Sequence, residues 1–97
     1  MTKIVLSRRA REDFKRIWSY IAFDSETAAD RTLMAIDAKI GRLRSFPESG
    51  SPRDDIRPGA RMIVHGSYLT LYDYDAASKT VEIVAIVEGM RDLERLF

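Results

Sequence analysis

Few residue types in this chain can do chemistry. Its 97 residues include one histidine, His65, and no cysteine. Without thiols there is no disulfide framework and no thiolate metal site. A lone imidazole falls short of a histidine-based metal centre. No G-x-S-x-G, P-loop or G-x-G-x-x-G run occurs. Ser67 stands too close to His65 in the chain for an evident Ser–His–Asp arrangement. Metal-free RNA cleavage needs an acid, a base and a cation to hold the phosphate. Arg61, His65, Tyr68, Tyr72, Glu88 and Arg91 are the candidates near one predicted sheet. The competing reading makes His65 a surface residue at a strand end.

Binding is the other class of function the residues support. Tyr68, Thr70, Tyr72 and Tyr74 alternate onto one face of a strand, with Leu69 and Leu71 on the other. An exposed tyrosine-rich face suits a protein partner, although strands favour tyrosine for ordinary reasons too. A basic cluster, Arg8, Arg9 and Arg11, falls where a first helix begins. Cations there oppose the helix dipole by roughly 0.3–1 kcal/mol each, partly offset by Glu12 and Asp13. That conflict hints at a binding role. The formal charge of +1 hides a gradient: residues 1–23 carry six basic and two acidic side chains, residues 61–97 four and six. An acidic partner, protein or nucleic acid, would meet the basic end; a solvated helix face is the bland alternative.

The elements that must position these groups are legible. Arg61–Glu88 reads as three strands in succession, Met62–Val64, Tyr68–Tyr74 and Thr80–Val87. The break at His65-Gly66 and the polar turn 75–79 separate them. Short connections make neighbours antiparallel, hence a meander. Lys3–Leu6 is a first short strand that must join that sheet. Ser7 is placed to cap a helix over 8–22, with Ala10, Phe14, Ile17, Trp18 and Ile21 on one stripe. Trp18 and Phe14 read as core, or as a groove that a partner fills. Ser25 or Thr27 caps a second helix, and Thr27 with Asp30 has capping-box spacing. Its stripe is Ala29, Leu33, Ile36, Ile40 and Leu43, and Pro47 stops it near Phe46. Pro47–Gly59 is loop and turn. Met90–Phe97 reads as two turns of helix or a docked tail. The prediction is a single α+β domain over 1–97: strand, helical hairpin, three-stranded antiparallel meander, with both helices on one face of the sheet. No apolar run reaches the roughly 18–20 residues of a membrane span, and Met1–Leu6 lacks a signal-peptide pattern. A cytoplasmic protein with no membrane contact is expected.

Taken together, these pieces resemble the ParE branch of the RelE/ParE toxin superfamily. The resemblance runs from Ile4 to Phe97. It rests on Leu6-Ser7 with Ala10 and Asp13, on Ile17-Trp18-Ser19-Tyr20-Ile21, on Ala28-Ala29-Asp30-Arg31, and on the stretch from Phe46 to Arg53. It continues through Arg57–Arg61, Tyr68-Leu69-Thr70-Leu71-Tyr72 and Gly89–Phe97. The order and spacing of the pieces carry it, not any one alone.

The resemblance implies the toxin of a type II toxin–antitoxin pair, of the kind linked to plasmid stabilization and stress response. Its expected partner is a ParD-like ribbon-helix-helix antitoxin, with operator DNA reached only through that antitoxin. DNA gyrase is the expected target. The alternatives are a RelE-like, ribosome-dependent mRNA endoribonuclease, or a degenerate relative that binds antitoxin without toxicity. Family members often carry Arg and His where this chain has Ala85 and Glu88. The nucleases carry Arg where this chain has Leu69, and their catalytic Tyr falls near Phe97. Only Arg91 matches the nuclease cluster, which argues against RNA cleavage; no catalytic residue, metal or cofactor is assigned. The residues expected to meet antitoxin are Arg8, Arg9, Arg11, Trp18, Arg61, Tyr68, Tyr72 and Tyr74. Those expected to serve toxicity are Arg91, Asp92, Arg95 and Phe97.

Overall fold

The computed structural model describes residues 2–89. Among the described residues, five strands form one mixed sheet in the order β1-β5-β4-β3-β2. They are β1 (Lys3–Leu6), β2 (Ser51–Pro52), β3 (Arg61–His65), β4 (Tyr68–Asp75) and β5 (Thr80–Glu88). The meander β3-β4-β5 stands as expected, and β1 joins parallel to β5, Lys3 opposite Thr80 and Leu6 opposite Ile83. The sheet is therefore mixed rather than purely antiparallel. The loop after the helices adds a two-residue edge, β2, against Arg61 and Met62.

Helices α1 (Arg8–Ala22) and α2 (Glu26–Gly41) pack against each other and cover one face, α1 over β5 and α2 over β3. Ser7 caps α1 by accepting from the Ala10 amide at 3.0 Å. Ser25, not Thr27, caps α2 through the Ala28 amide. The expected capping box does not form, because with Ser25 as the cap Asp30 is not at the third helical position; its carboxylate accepts from Trp18 Nε1 at 2.8 Å. A turn of 3-10 helix, Arg42–Arg44, follows α2 and carries its stripe on to buried Leu43.

The core has two parts, one on each face of the sheet. Under the helices lie Ala10, Ile17, Ile36, Ile40 and Leu43 with Tyr72, Val81, Ile83 and Ile86. On the far face are Leu69, Leu71, Ala60 and Val87, with Ile56, Met62 and Val84 against them. Residues of the 53–60 loop, Ile56 and Ala60, thus help cover the side that the helices leave open. A bulge separates the two halves of β5: Leu71 pairs with Ala85 but Tyr72 with Ile83, so Val84 is extra. A bulge bends its strand and re-aims side chains, which is why Ile83 and Ile86 both reach the helix-side core.

β1 ends at Leu6, so among the described residues β5 beyond Ile83 has no strand on its outer side. Side chains of the α1 segment take over there. Ser7 Oγ donates to the Val84 carbonyl at 2.7 Å, and the Ile86 amide donates to Asp13 Oδ2 at 2.9 Å. Asp13 lies on the buried side of α1, where Arg9 Nε and Arg16 Nη2 reach its other oxygen at 2.9 and 3.0 Å.

Candidate functional site

The tyrosines of β4 share one face, but it is the face that the helices cover. Tyr72 is fully buried, with Tyr68 and Tyr74 packed at the margin of the same core. The expectation of an exposed tyrosine surface with Tyr72 as a contact residue is therefore overturned. Two amphipathic helices need a sheet face to bury their stripes against, and the tyrosine face received them. The Tyr72 hydroxyl donates to the Pro47 carbonyl at 2.8 Å and accepts from the Gly50 amide at 2.9 Å. Burial raises its pKa above the usual value for a phenol, with the Gly50 amide opposing the rise. Arg61 serves the same loop, donating to the carbonyls of Glu48 and Gly50 at 2.7 and 2.8 Å. These two candidates anchor the 47–52 segment.

The remaining candidates scatter. Arg8 and Arg11 stand exposed at the start of α1, while Arg9 is bound to Asp13. Trp18 is half-buried between the helices and held by Asp30. Arg91, Asp92, Arg95 and Phe97 lie outside the described residues. So does the reading of Met90–Phe97 as helix or tail.

The residues weighed for acid–base chemistry are partly brought together. His65 pairs with Tyr68, and Tyr68 with Glu88, so β3, β4 and β5 present the three in one transverse row on the helix side. Arg16 and Tyr20 of α1 meet the end of that row. Together with Ile17, Tyr68 and Glu88 they line an open cavity of about 420 Å³. Burial raises the Tyr68 pKa, and the Glu88 carboxylate adds to the rise. Arg61 and Tyr72 sit away from this row in the loop contacts above, and Arg91 lies outside the described residues. Leu69, where the resemblance puts a nuclease arginine, is buried in the apolar cluster on the far face, and Ala85, where family members often carry arginine, is buried opposite Leu71.

Two further surfaces are open. β2 pairs only with Arg61 and Met62, so the outer edge of β3 from Ile63 to His65 lacks a strand partner among the described residues. Lys39 Nζ donates to the Val64 carbonyl there at 2.6 Å, beside a cavity of about 330 Å³ that Arg42 and Gly50 also line. A shallow apolar groove runs between Leu6, Phe14, Leu33 and Met34, and the Met34 side chain is largely exposed. Sequence reasoning missed Arg16, Tyr20 and Lys39, and the buried role of Asp13. The Arg9–Asp13–Arg16 spacing, four then three, was the available signal for the last.

Comparison with known proteins gives one consistent answer. Residues 4–93 match the family described as the ParE toxin of the type II toxin–antitoxin system parDE. Toxin ParE1 of Caulobacter vibrioides is 32% identical over 84 residues, 84% of this chain and 83% of that protein. Among solved structures, the chromosomal ParDE system of P. aeruginosa aligns at a TM-score of 0.76 and 18% identity, over 92% of this chain and 97% of its own. The RelBE2 toxin–antitoxin complex of Mycobacterium tuberculosis aligns at 0.68 and 22% identity, over 90% and 96%. At such identities the structural likenesses speak for the fold.

Proposed function

This chain belongs to the ParE toxin family of type II toxin–antitoxin systems, and we propose that it acts by inhibiting DNA gyrase rather than by cutting RNA. One observation carries the choice. The sheet position where the resemblance puts a nuclease arginine holds Leu69, buried in an apolar cluster. Leucine supplies no guanidinium there to clamp a scissile phosphate, and such clamps supply much of metal-free phosphoryl catalysis. The ParE name of the matched family and of its Caulobacter relative supports the same side of the superfamily.

Its antitoxin is ParD-like, a ribbon-helix-helix dimer whose tail wraps the toxin and which alone contacts operator DNA. The unpaired edge of β3 and the Leu6–Met34 groove suit an extended segment and an apolar helix face, respectively. The exposed guanidiniums of Arg8 and Arg11 favour acidic residues in that tail. The solved P. aeruginosa relative is described as a ParDE system, in keeping with such a pairing.

Controlled expression of the chain alone, and with its neighbouring small gene, tests the reading. A DNA-damage response with filamentation, relieved by the second gene, is the expected result. A rapid halt in translation with cut mRNA would move the protein to the nuclease class. Normal growth would mark a degenerate relative that binds antitoxin without toxicity.

A further inference from the structure

The cavity at the end of β4 and β5 has a chemistry that the toxin reading does not use. Two phenol rings, one carboxylate and one guanidinium meet there. Tyr20 is 73% exposed, which leaves its ring open to stack on a ligand. Tyr68 sits lower in the same wall, partly buried. Glu88 is exposed and has no hydrogen-bond or ion-pair partner among the described residues. Arg16 uses only Nη2, toward Asp13 and the Ile86 carbonyl, and its side chain is 57% exposed. Its remaining N–H groups have no partner among the described residues.

We propose that this cavity binds a guanine nucleotide unit. The base stacks on Tyr20 and Tyr68, Glu88 accepts from the base edge, and Arg16 contacts the phosphate. Aromatic stacking with hydrogen bonds to a base's Watson–Crick edge is how unpaired bases are generally held. A carboxylate accepts only, so it matches the adjacent N1–H and N2–H groups of guanine. Adenine and cytosine present a ring nitrogen acceptor there, which a carboxylate repels. The volume, about 420 Å³, lies within the usual range for small-ligand sites.

A cationic side chain inserted between the tyrosines and Glu88 is the competing occupant, since aromatic rings and a carboxylate also suit ammonium or guanidinium. The local field favours the nucleotide. Arg9 and Arg16 share the single charge of Asp13, and Arg8, Arg11 and Lys15 stand exposed on the same helix. This basic helix attracts a phosphate and repels a cation.

Titration of the purified full chain with GMP, followed by amide NMR, tests the proposal. Saturable shifts at Tyr20, Tyr68 and Glu88 are expected, with AMP and CMP weaker by roughly tenfold, the cost of one mispaired polar contact. Glu88→Gln should abolish the preference for guanine while leaving some binding. Tyr20→Ala, at an exposed position where the fold has little to lose, should weaken GMP by roughly tenfold. A guanine-containing oligoribonucleotide against GMP separates the two sources: equal or tighter binding of the strand points to nucleic acid, preference for GMP to a free nucleotide. Shifts with N-acetyl-arginine amide but not with GMP would overturn the proposal, as would GMP binding unchanged in Glu88→Gln and Tyr20→Ala, or no shift at millimolar GMP.

Discussion

Asp13 and Ile86 are joined across the gap between helix and sheet: the Ile86 amide donates to Asp13 Oδ2 at 2.9 Å. The bond stands where β1 has ended and a further strand would otherwise be needed. A buried carboxylate is costly unless it is hydrogen-bonded and paired, and here Arg9 and Arg16 complete it. Asp13→Ala leaves the Ile86 amide without an acceptor and should cost about 1–3 kcal/mol. Asp13→Asn keeps an acceptor oxygen for that amide and should cost less than half as much. Urea unfolding with an unchanged denaturant slope checks both. Equal losses for Ala and Asn would mean that the charge, not the backbone bond, matters.

Tyr72 makes a corresponding connection between the sheet and the loop at Pro47 and Gly50. Its ring lies so close to Gly50 that a Cβ there would sit 2.6 Å from the ring and its hydroxyl. Tyr72→Phe removes the acceptor for the Gly50 amide and the donor for the Pro47 carbonyl, at about 1–3 kcal/mol. Gly50→Ala should be worse, because a buried ring has nowhere to move.

The same residue sets an alkaline limit. The Tyr72 pKa is raised in the folded protein, chiefly by burial. The unfolded chain therefore releases this proton first. The associated stability is whole below the unfolded value, near 10, and falls as pH rises from there through the folded value. Thermal melts from pH 8 to 11 should show that decline. Tyr72→Phe should flatten part of it, and Tyr68, raised for the same first reason, should account for more.

Most of the architecture was legible because its signals are local. Ser7 before a periodic stripe and Pro47 after another mark helix ends, and two turns mark the meander. The placement of β1 beside β5 was not legible, since nothing in Lys3–Leu6 names its neighbour. What the sequence hid was which face of β4 the helices would take. Tyrosine at 68, 72 and 74 and leucine at 69 and 71 are both compatible with a core, so alternation separates the faces without saying which is covered. The bulge at Val84 was likewise silent, because a run of apolar residues looks the same with or without one extra. Asp13 was read as a charge that eases a helix dipole, since its partner, the Ile86 amide, lies 73 positions away.

The tail carries a prediction that rests on sequence and resemblance. Arg91 and Arg95 are guanidiniums suited to fork onto a carboxylate or phosphate. Exposed ion pairs contribute only about 0–1 kcal/mol to stability. Arg91→Ala with Arg95→Ala should therefore fold, bind antitoxin and fail to arrest growth. Growth arrest equal to the parent's would remove the tail from the toxic mechanism; loss of the folded state would make the pair structural.

Arg8 and Arg11 should trade stability against binding. Both are exposed in the first turn of α1, a turn without acidic residues. Arg9 is excluded from the comparison because Asp13 holds it. Replacing Arg8 and Arg11 by glutamate should stabilise the isolated chain by about 0.3–1 kcal/mol per position, through the helix dipole. An acidic antitoxin tail would lose its attraction at the same place. Association should slow, and its dependence on salt should weaken, because steering by exposed charge is screened beyond about 10 Å at 0.1 M salt. Thermal melts of the free chain and association kinetics at two salt concentrations give both halves. Greater stability with unchanged association would make the cluster a solvated face, and the conflict with the dipole would then have no binding role behind it.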